Sequence, residues 1–212
     1  MRLAFGLAAL FVVLVGGAAA QGVDADVTGL QHDWEVIRFQ TPAAERARRF
    51  EALAERAHQL SGAHPERADA LLWEGIIVDA WAGERGRFIG LGLARQARTL
   101  YETVLQQDAA GVGATAYACL GTLYARVPGW PLGFGDRAKA EVMLQKALAL
   151  DPAGLDTNLR YGEFLLDAGR AREAVSYLER ALKAPLWPGH HVADTGWRAQ
   201  ARSLIERARL AS

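Results

Sequence analysis

The sequence contains few side chains whose types and spacing could support catalysis. His190 and His191 are adjacent and lie close to Asp194, and these residue types can bind a metal ion. Two histidines four residues apart on a helix can face one metal, whereas adjacent histidines point in different directions. Because they follow the Pro- and Gly-containing segment 185–189, a solvated loop is favoured and no metal site is predicted.

Other patterns that signal chemistry are also weak. The glycines of GRFIGLG, residues 86–92, do not follow a strand, as the glycines of a nucleotide site do. The sequence lacks a nucleophile elbow, a phosphate-binding loop and a paired-carboxylate motif. Cys119 is the only cysteine, so no internal disulfide is possible, and its apolar surroundings indicate a core residue. We expect no enzyme activity, no cofactor and no metal.

The segment PGWPLGFGD, residues 128–136, is a stronger candidate for function. It holds Trp130 and Phe134 on a turn that proline stiffens and glycine allows to bend sharply. An aromatic side chain on a stiff loop is a good binding anchor. The alternative is that both aromatic side chains fold back as a lid on the neighbouring helices, with Asp136 capping the helix that follows.

The overall charge excludes some classes of partner. Lys and Arg number 24, as do Asp and Glu, so no global charge draws the chain to nucleic acid or to an anionic membrane. The last helix is rich in arginine but also carries Glu206, and its arginines are interpreted as a solvated face: Arg198, Arg202, Arg207 and Arg209.

Residues 1–20 have the pattern of a signal peptide. Arg2 precedes an apolar run at 3–15, and the small residues 18–20 form a cleavage site before Gln21. The alternative is a transmembrane anchor, because about 18 apolar residues nearly span a bilayer. We expect cleavage, and a periplasmic or secreted chain without a stable membrane span.

The remaining sequence predicts only α-helices. Residues 21–40 are mixed in character, and residues 33–39 alternate only loosely, which leaves a short helix or an arm laid on the body. Thr41 is the expected cap of a first helix that ends near Leu60. Apolar spacing and Gly or Pro breaks predict the others, at 66–82, 91–107, 115–126, 137–150, 155–168, 171–183 and 195–210. Residues 83–90 are expected to form a loop.

Two segments share one spacing of small and large residues. The first contains Tyr117, Leu120, Gly121 and Tyr124, then Ala140, Leu144, Ala147 and Pro152. The second contains Asn158, Tyr161, Gly162 and Leu165, then Ala174, Leu178 and Ala181. This spacing resembles the tetratricopeptide repeat (TPR) family, whose unit reads W-x2-L-G-x2-Y and then A-x3-F, A and P. A weaker unit has Gly75, Val78, Ala97, Tyr101 and Val104.

The distance between the small residues of the two helices locates insertions. It is 12 residues in the last unit, 19 in the middle unit and 22 in the first. Insertions of 7 and 10 residues therefore fall at inter-helix turns. We expect these two inserted segments to lie side by side on one edge and to form a composite site, with Arg85 and Phe88 on one and Trp130 and Phe134 on the other.

The resemblance implies an all-α fold, a short right-handed α-solenoid of about three helical hairpins with flanking capping helices. The expected parts are a signal peptide at 1–20, an N-terminal arm at 21–40 and a repeat domain at 41–212. The repeat units are expected at about 66–109, 112–152 and 155–185, and a C-terminal helix at about 195–210.

TPR arrays bind partners on the concave face that their first helices line. The equivalent positions are mostly apolar: Leu72, Ile76, Asp79, Ala118, Thr122, Arg126, Leu159, Glu163 and Leu166. Because this set has no cluster of Lys or Arg, we expect an apolar peptide, an amphipathic helix or a small apolar ligand instead of an acidic peptide tail. The alternative is that the terminal helices cover the groove and these residues are core.

The expected function is a non-enzymatic periplasmic scaffold or adaptor that binds another protein or peptide. The alternative is an accessory component of a transport system that binds a small apolar molecule. The exported helical repeat with its apolar interior face is similar to the periplasmic TPR-type components of tripartite (TRAP) transporters, and that resemblance implies the transport function.

Overall fold

The computed structural model describes residues 15–107 and 111–211, with side chains described at 21–86, 90–107 and 111–211. These residues form nine α-helices and no strand. The helices are α1 (Val15–Gln40), α2 (Ala43–Ala63), α3 (Ala68–Glu84), α4 (Gly86–Gln106), α5 (Gly113–Arg126), α6 (Arg137–Leu150), α7 (Leu155–Asp167), α8 (Ala171–Lys183) and α9 (His191–Leu210).

The helices pack mainly as three consecutive pairs, α3 with α4, α5 with α6 and α7 with α8. Helix α2 flanks the first pair and α9 the last, while α1 contacts α2, α3 and α9. No single pair can bury its apolar face alone, so the pairs stack and share one core. The predicted all-α repeat solenoid is confirmed.

Each pair is closest at the glycine that the repeat pattern identified. A Cβ atom on Gly121 would lie 2.7 Å from Leu144 Cγ, and one on Gly162 would lie 2.7 Å from Leu178 Cγ. In the weaker first unit, a Cβ on Gly75 would lie 2.7 Å from Tyr101 Cε1. In all three units, the two helices can pack this closely only because the residue at this position has no side chain.

The predicted loop at 83–90 is wrong, because this segment is helical apart from Arg85. Compared with the α7–α8 unit, α3 continues four residues further beyond its glycine and α4 begins eight residues earlier before its alanine. The connection also shortens from three residues to one. These changes account for the 10 inserted residues, and the segment contains no Pro that would break either helix.

The second inserted segment is a loop, as predicted, and covers residues 127–136 between α5 and α6; we call it the anchor loop. It folds on itself through a hydrogen bond from Gly135 N to Pro128 O at 2.9 Å. A Cβ on Gly135 would lie 1.8 Å from Val127 O, so only glycine permits this approach. Asp136 caps α6 by accepting hydrogen bonds from the amides of Ala138 and Lys139, both at 3.0 Å.

The two inserted segments are neighbours at one point. Leu91 Cδ1, on the added N-terminal part of α4, lies 3.4 Å from where a Cβ of Gly133 would be. The composite site expected to join the two inserted segments stays a prediction. Arg85 is exposed with its guanidinium 5.8 Å from the Trp81 ring centre, and the side chain of Phe88 lies outside the described residues.

Residues 21–40 form the main part of helix α1 and not a separate irregular arm. Val27, Leu30 and Trp34 on its inner face are buried in the core. The expected cap at Thr41 is wrong, because α2 begins after Pro42 without a side-chain cap. The Thr41 hydroxyl instead donates to Val36 O at 3.2 Å and so secures the end of α1.

The predicted signal segment falls largely outside the described residues, since residues 1–14 are not among them. Within the part that is described, no helix is long and apolar enough to cross a membrane.

Candidate ligand cavity on the concave face

The concave side of the repeat holds a cavity of about 410 Å³. The first helices of all three pairs contribute to its wall, and α1 and α9 complete it from the two ends of the chain. Helices α1 and α9 contact each other, so the terminal helices cover part of the concave groove and leave this space beneath them. We call it the ligand cavity, and its end walls are Trp34 and Arg38 of α1 and Trp197 and Gln200 of α9.

Most side chains expected on the concave face line the ligand cavity: Ile76, Asp79, Thr122, Arg126, Leu159 and Glu163. Leu72 is only 3% exposed and belongs to the core. Ala118 is fully buried, and Leu166 packs against the core. The anchor loop residues Trp130 and Phe134 do not line the cavity.

The expectation of an apolar concave face without an arginine cluster is wrong. Charged side chains of both signs line the cavity: Arg38, Arg126, Arg137, Arg160, Asp79, Glu84, Glu163 and Asp167. Helical spacing from the repeat glycine located Arg126, Asp79 and Glu163. It missed Arg160, which lies two residues before Gly162, and the residues of α1 and α9, which lie outside the repeat. The residues of α1 and α9 reach the cavity only because the terminal helices fold over the groove.

Several of these charges are paired across helices. Arg126 of α5 bonds Asp79 of α3, which is only 8% exposed. Arg160 Nε donates to Asp156 Oδ1 at 2.6 Å, and its Nη1 lies 3.4 Å from Thr122 Oγ1. The Arg126–Asp79 pair and the contact of Arg160 with Thr122 connect the first helices of successive units, whereas Asp156 and Arg160 both belong to α7.

Two further carboxylates of the cavity are paired with arginines outside it. Glu84 lies 3.9 Å from Arg46, and Asp167 lies 3.6 Å from Arg207. Among the described residues, no cation forms an ion pair with Glu163, which accepts a hydrogen bond from Gln200 at 3.3 Å. Burial raises the pKa of Glu163, since a charged carboxylate loses hydration there.

Arg38 has neither a hydrogen bond nor an ion pair within the described chain, and its contacts are with rings. Its guanidinium carbon lies 5.9 Å from the ring centres of Phe39 and Trp197. Burial and then the nearby Arg46 lower the pKa of Arg38, because both disfavour the charged form. Arg38 is therefore a partly desolvated cation that faces the cavity without a counter-ion in contact.

An aromatic cluster joins the two terminal helices beside Arg38. The Trp34 and Trp197 rings are 5.9 Å apart, and Phe39 meets Trp197 edge-on at 5.0 Å. Trp34 also meets Trp73 of α3 at 6.0 Å. Aromatic pairs at these separations stabilise the contact beyond their buried area. Two of its rings, Trp34 and Trp197, line the cavity.

His190 does not lie in a solvated loop, which corrects the sequence-based expectation. Its Nδ1 contacts Glu35 of α1, and its ring stacks on Trp187 at 3.9 Å. Glu35 is 2% exposed and also accepts a hydrogen bond from Ala193 N at 3.3 Å. A buried carboxylate needs such partners, so His190 helps to join α1 to α9. The described residues contain no group of metal-binding side chains.

Arg198 likewise departs from the predicted solvated face. Its guanidinium donates to Asp194 Oδ2 at 2.8 Å and to the carbonyl oxygens of Leu182 and Ala184 at 2.6 and 2.9 Å. The last carbonyls of a helix have no partner within that helix. Arg198 therefore caps α8 and attaches α9 to it.

The anchor loop divides its two aromatic residues. Phe134 packs edge-on against Tyr124 at 5.9 Å, with the Arg98 guanidinium 4.6 Å from its ring centre. Trp130 is 90% exposed and its neighbour Leu132 is 69% exposed. The lid interpretation therefore describes Phe134, while Trp130 points away from the protein.

Known proteins share the repeat. Residues 132–185 match the family model described as tetratricopeptide repeat. The chain is similar to TTC0263, a thermophilic TPR protein of Thermus thermophilus, with a TM-score of 0.58 and 21% identity over 89% of this chain and 93% of that one. The fold is a TPR-like helical repeat. The family model matches residues 132–185 alone, and the likeness to this solved structure shows the fold.

Two other solved structures are more distant. MamA has a TM-score of 0.45 and 18% identity over 79% of this chain and 92% of its own. YrrB, described as a TPR protein with an unusual peptide-binding site, has a TM-score of 0.41 and 16% identity over 90% of this chain and 93% of its own. No curated protein matches the chain.

Proposed function

We propose that this protein is a non-enzymatic interaction scaffold that binds a segment of another protein in the ligand cavity. The observation that carries the proposal is the cavity itself, which is walled by all three helical pairs and by both terminal helices. A segment held there would contact every unit of the repeat, so its binding energy would be shared over the whole array.

The chemistry of the wall refines the expected partner. Ile76, Leu159 and the aromatic cluster offer apolar contact, which suits an apolar peptide or one face of a helix. The arginines and carboxylates around them suit polar groups at the ends of that segment. A short peptide with an apolar centre and polar ends therefore fits better than a wholly apolar one.

The anchor loop supplies a second contact in this proposal. Trp130 and Leu132 are exposed at the tip of a loop that internal hydrogen bonds hold in shape. A rigid, exposed tryptophan loses little conformational entropy on binding. The partner would therefore be held by its segment in the cavity and by a surface that rests on Trp130.

Site-specific photo-crosslinking tests the scaffold proposal. A photoreactive residue at Thr122, which lines the cavity, should give a crosslink to one partner protein in the native cell. Thr195 is the matched control, since it is exposed on α9 and does not line the cavity. A partner that crosslinks equally at both positions, or only at Thr195, would contradict binding in the cavity.

A small-molecule function is the second candidate, and the size of the cavity favours it. Small-molecule sites in proteins are about 300–1,000 Å³, and this cavity is about 410 Å³. In that case the protein would be a ligand-binding accessory component of a transport system. Native mass spectrometry of the protein purified from its own cells distinguishes the two functions. A bound small molecule would support the transport function, whereas a stoichiometric bound protein would support the scaffold.

Export to the periplasm or out of the cell belongs to the same proposal. Its support is the charged, apolar and small-residue pattern of residues 1–20. The intact mass of the purified protein tests it. A chain that begins at Gln21 supports export with cleavage, whereas a chain that retains residues 1–20 contradicts cleavage.

A further inference from the structure

We propose that the occupant of the ligand cavity presents a carboxylate to Arg38 and rests its apolar part on Trp197. This inference depends on the proposed function, in that it assumes a ligand in the cavity. It adds the chemical class of the group that is recognised and the residue that recognises it.

The first argument is the pattern of charge pairing. Asp79 is paired with Arg126, Glu84 with Arg46 and Asp167 with Arg207, and Arg160 is paired with Asp156. This leaves Arg38 and Arg137 against the single carboxylate of Glu163. Glu163 is bonded to Gln200, and no contact with Arg38 is formed in the described chain. The wall carries four arginines and four carboxylates, and once these pairs are set aside, two arginines face one carboxylate.

The second argument is the position of that guanidinium. The guanidinium carbons of Arg38 and Arg160 both lie 5.9 Å from the ring centre of Trp197. The positive charge of Arg160 is among the causes that lower the pKa of Arg38. An anion placed beside Trp197 would relieve this repulsion, and Arg160 retains donors because only two of its nitrogens are bonded to Asp156 and Thr122.

The third argument concerns the charge of the ligand. Glu163, Asp167 and Asp79 also line the cavity and would repel a dianion. A planar monoanion matches both the unpaired guanidinium of Arg38 and the fork of an arginine side chain. A carboxylate meets these conditions, and it could belong to a small apolar acid or to the C-terminus of a peptide. The two sources share one chemistry, so the experiment must separate them.

Matched acids and amides provide the test on the full chain. The first pair is 3-phenylpropionate and 3-phenylpropionamide, and the second is the tripeptide Ala-Leu-Phe with a free or an amidated C-terminus. Calorimetric titration at neutral pH should show that the acid of at least one pair binds about tenfold more tightly than its amide. The pair that shows this preference identifies the source of the carboxylate.

Variants connect that preference to Arg38. Arg38→Gln should abolish the preference for the acid, because the amide side chain cannot supply the charge. Arg38→Lys should retain part of it, because the charge remains but the planar fork is lost. Arg202→Gln is the matched control, since Arg202 is exposed on α9 and does not line the cavity, and it should retain the full preference.

Three results would overturn the carboxylate site. These are equal affinity for acid and amide, binding of neither acid, and a preference that survives Arg38→Gln in a chain whose thermal unfolding is unchanged. None of them bears on the crosslink from Thr122, which tests the scaffold proposal independently. A partner crosslinked at Thr122 together with no acid preference would therefore reject this inference alone.

Discussion

At the scale of single residues, the repeat depends on glycines inside its helices. Glycine lowers the stability of a helix, and it is needed at these positions because the opposite helix packs directly against them. Gly121 and Gly162 lie inside helices, where alanine is normally better by about 0.5–1 kcal/mol. At both positions a Cβ would come within 2.7 Å of a leucine Cγ of the partner helix. The tight approach of the helices therefore outweighs the helical preference.

Replacement of Gly121 by alanine tests this balance. We expect Gly121→Ala to reduce the free energy of unfolding by about 1–3 kcal/mol, because the added methyl overpacks the α5–α6 contact. Gly29→Ala in α1 is the matched control, since no atom lies within 4 Å of its added Cβ, and it should raise stability. Urea unfolding measures both changes, and a stabilised Gly121→Ala would contradict the packing argument.

The two aromatic residues of the anchor loop should respond differently to alanine. Phe134→Ala should cost about 1–3 kcal/mol of stability, because it removes the contacts with Tyr124 and Arg98. Trp130→Ala should change stability by less than about 0.5 kcal/mol, because the side chain is 90% exposed. It should nevertheless weaken capture of the partner. Urea unfolding and the yield of co-purified partner check the two effects, and normal capture by Trp130→Ala would exclude the loop from the interface.

At the scale of helices, the attachment of α9 to α8 depends on Asp194 and Arg198. The hydrogen bonds from Arg198 hold the pKa of Asp194 below its ordinary value. A carboxyl group whose pKa is lower in the folded state stabilises the fold above its unfolded pKa of about 3.9. That contribution is lost as the pH falls through the folded value.

Asp194→Asn should therefore make the protein less stable at pH 7, by about 1–3 kcal/mol. The difference from the wild type should shrink as the pH falls below about 4, because the wild-type carboxyl group is then protonated as well. Urea unfolding at a series of pH values measures the effect. Glu206→Gln, on the exposed side of the same helix, should change stability by less than about 0.5 kcal/mol at pH 7. A pH-independent difference for Asp194→Asn would contradict the assignment.

At the scale of the whole molecule, the two ends of the chain meet and complete the ligand cavity. Trp34 and Phe39 of α1 contact Trp197 of α9, while Glu35 receives Ala193 N and contacts His190. The solenoid is thereby joined end to end across its concave side. This junction therefore forms one boundary of the ligand cavity.

Gly196→Ala should weaken the junction, because the added Cβ would lie 2.3 Å from Phe39 Cδ1. We expect a loss of about 1–3 kcal/mol and faster amide hydrogen exchange along residues 21–40 than in the wild type. Exchange within α5 to α8 should be much less affected. Protection of α1 equal to that of the wild type would show that α1 does not depend on this contact.

The sequence predicted the repeat better than the site because the repeat has a local signature. Glycine and alanine at fixed spacing report the contact between two helices that follow each other in the chain. Positions such as Thr122 and Glu163 could be placed on the concave face by counting from those glycines. Arg38 and Trp197 could not, because their place in the cavity depends on contacts between residues more than 150 positions apart.

The sequence by itself determined the helical repeat, the glycine contacts and the loop between α5 and α6, since each depends on neighbours in the chain. The tertiary structure alone decided that the first insertion continues two helices, that α1 and α9 meet, and that the concave face carries charge. The physical reason is that buried groups such as Glu35 and Asp194 need partners. Those partners are selected by the packing of distant helices, which no local pattern records.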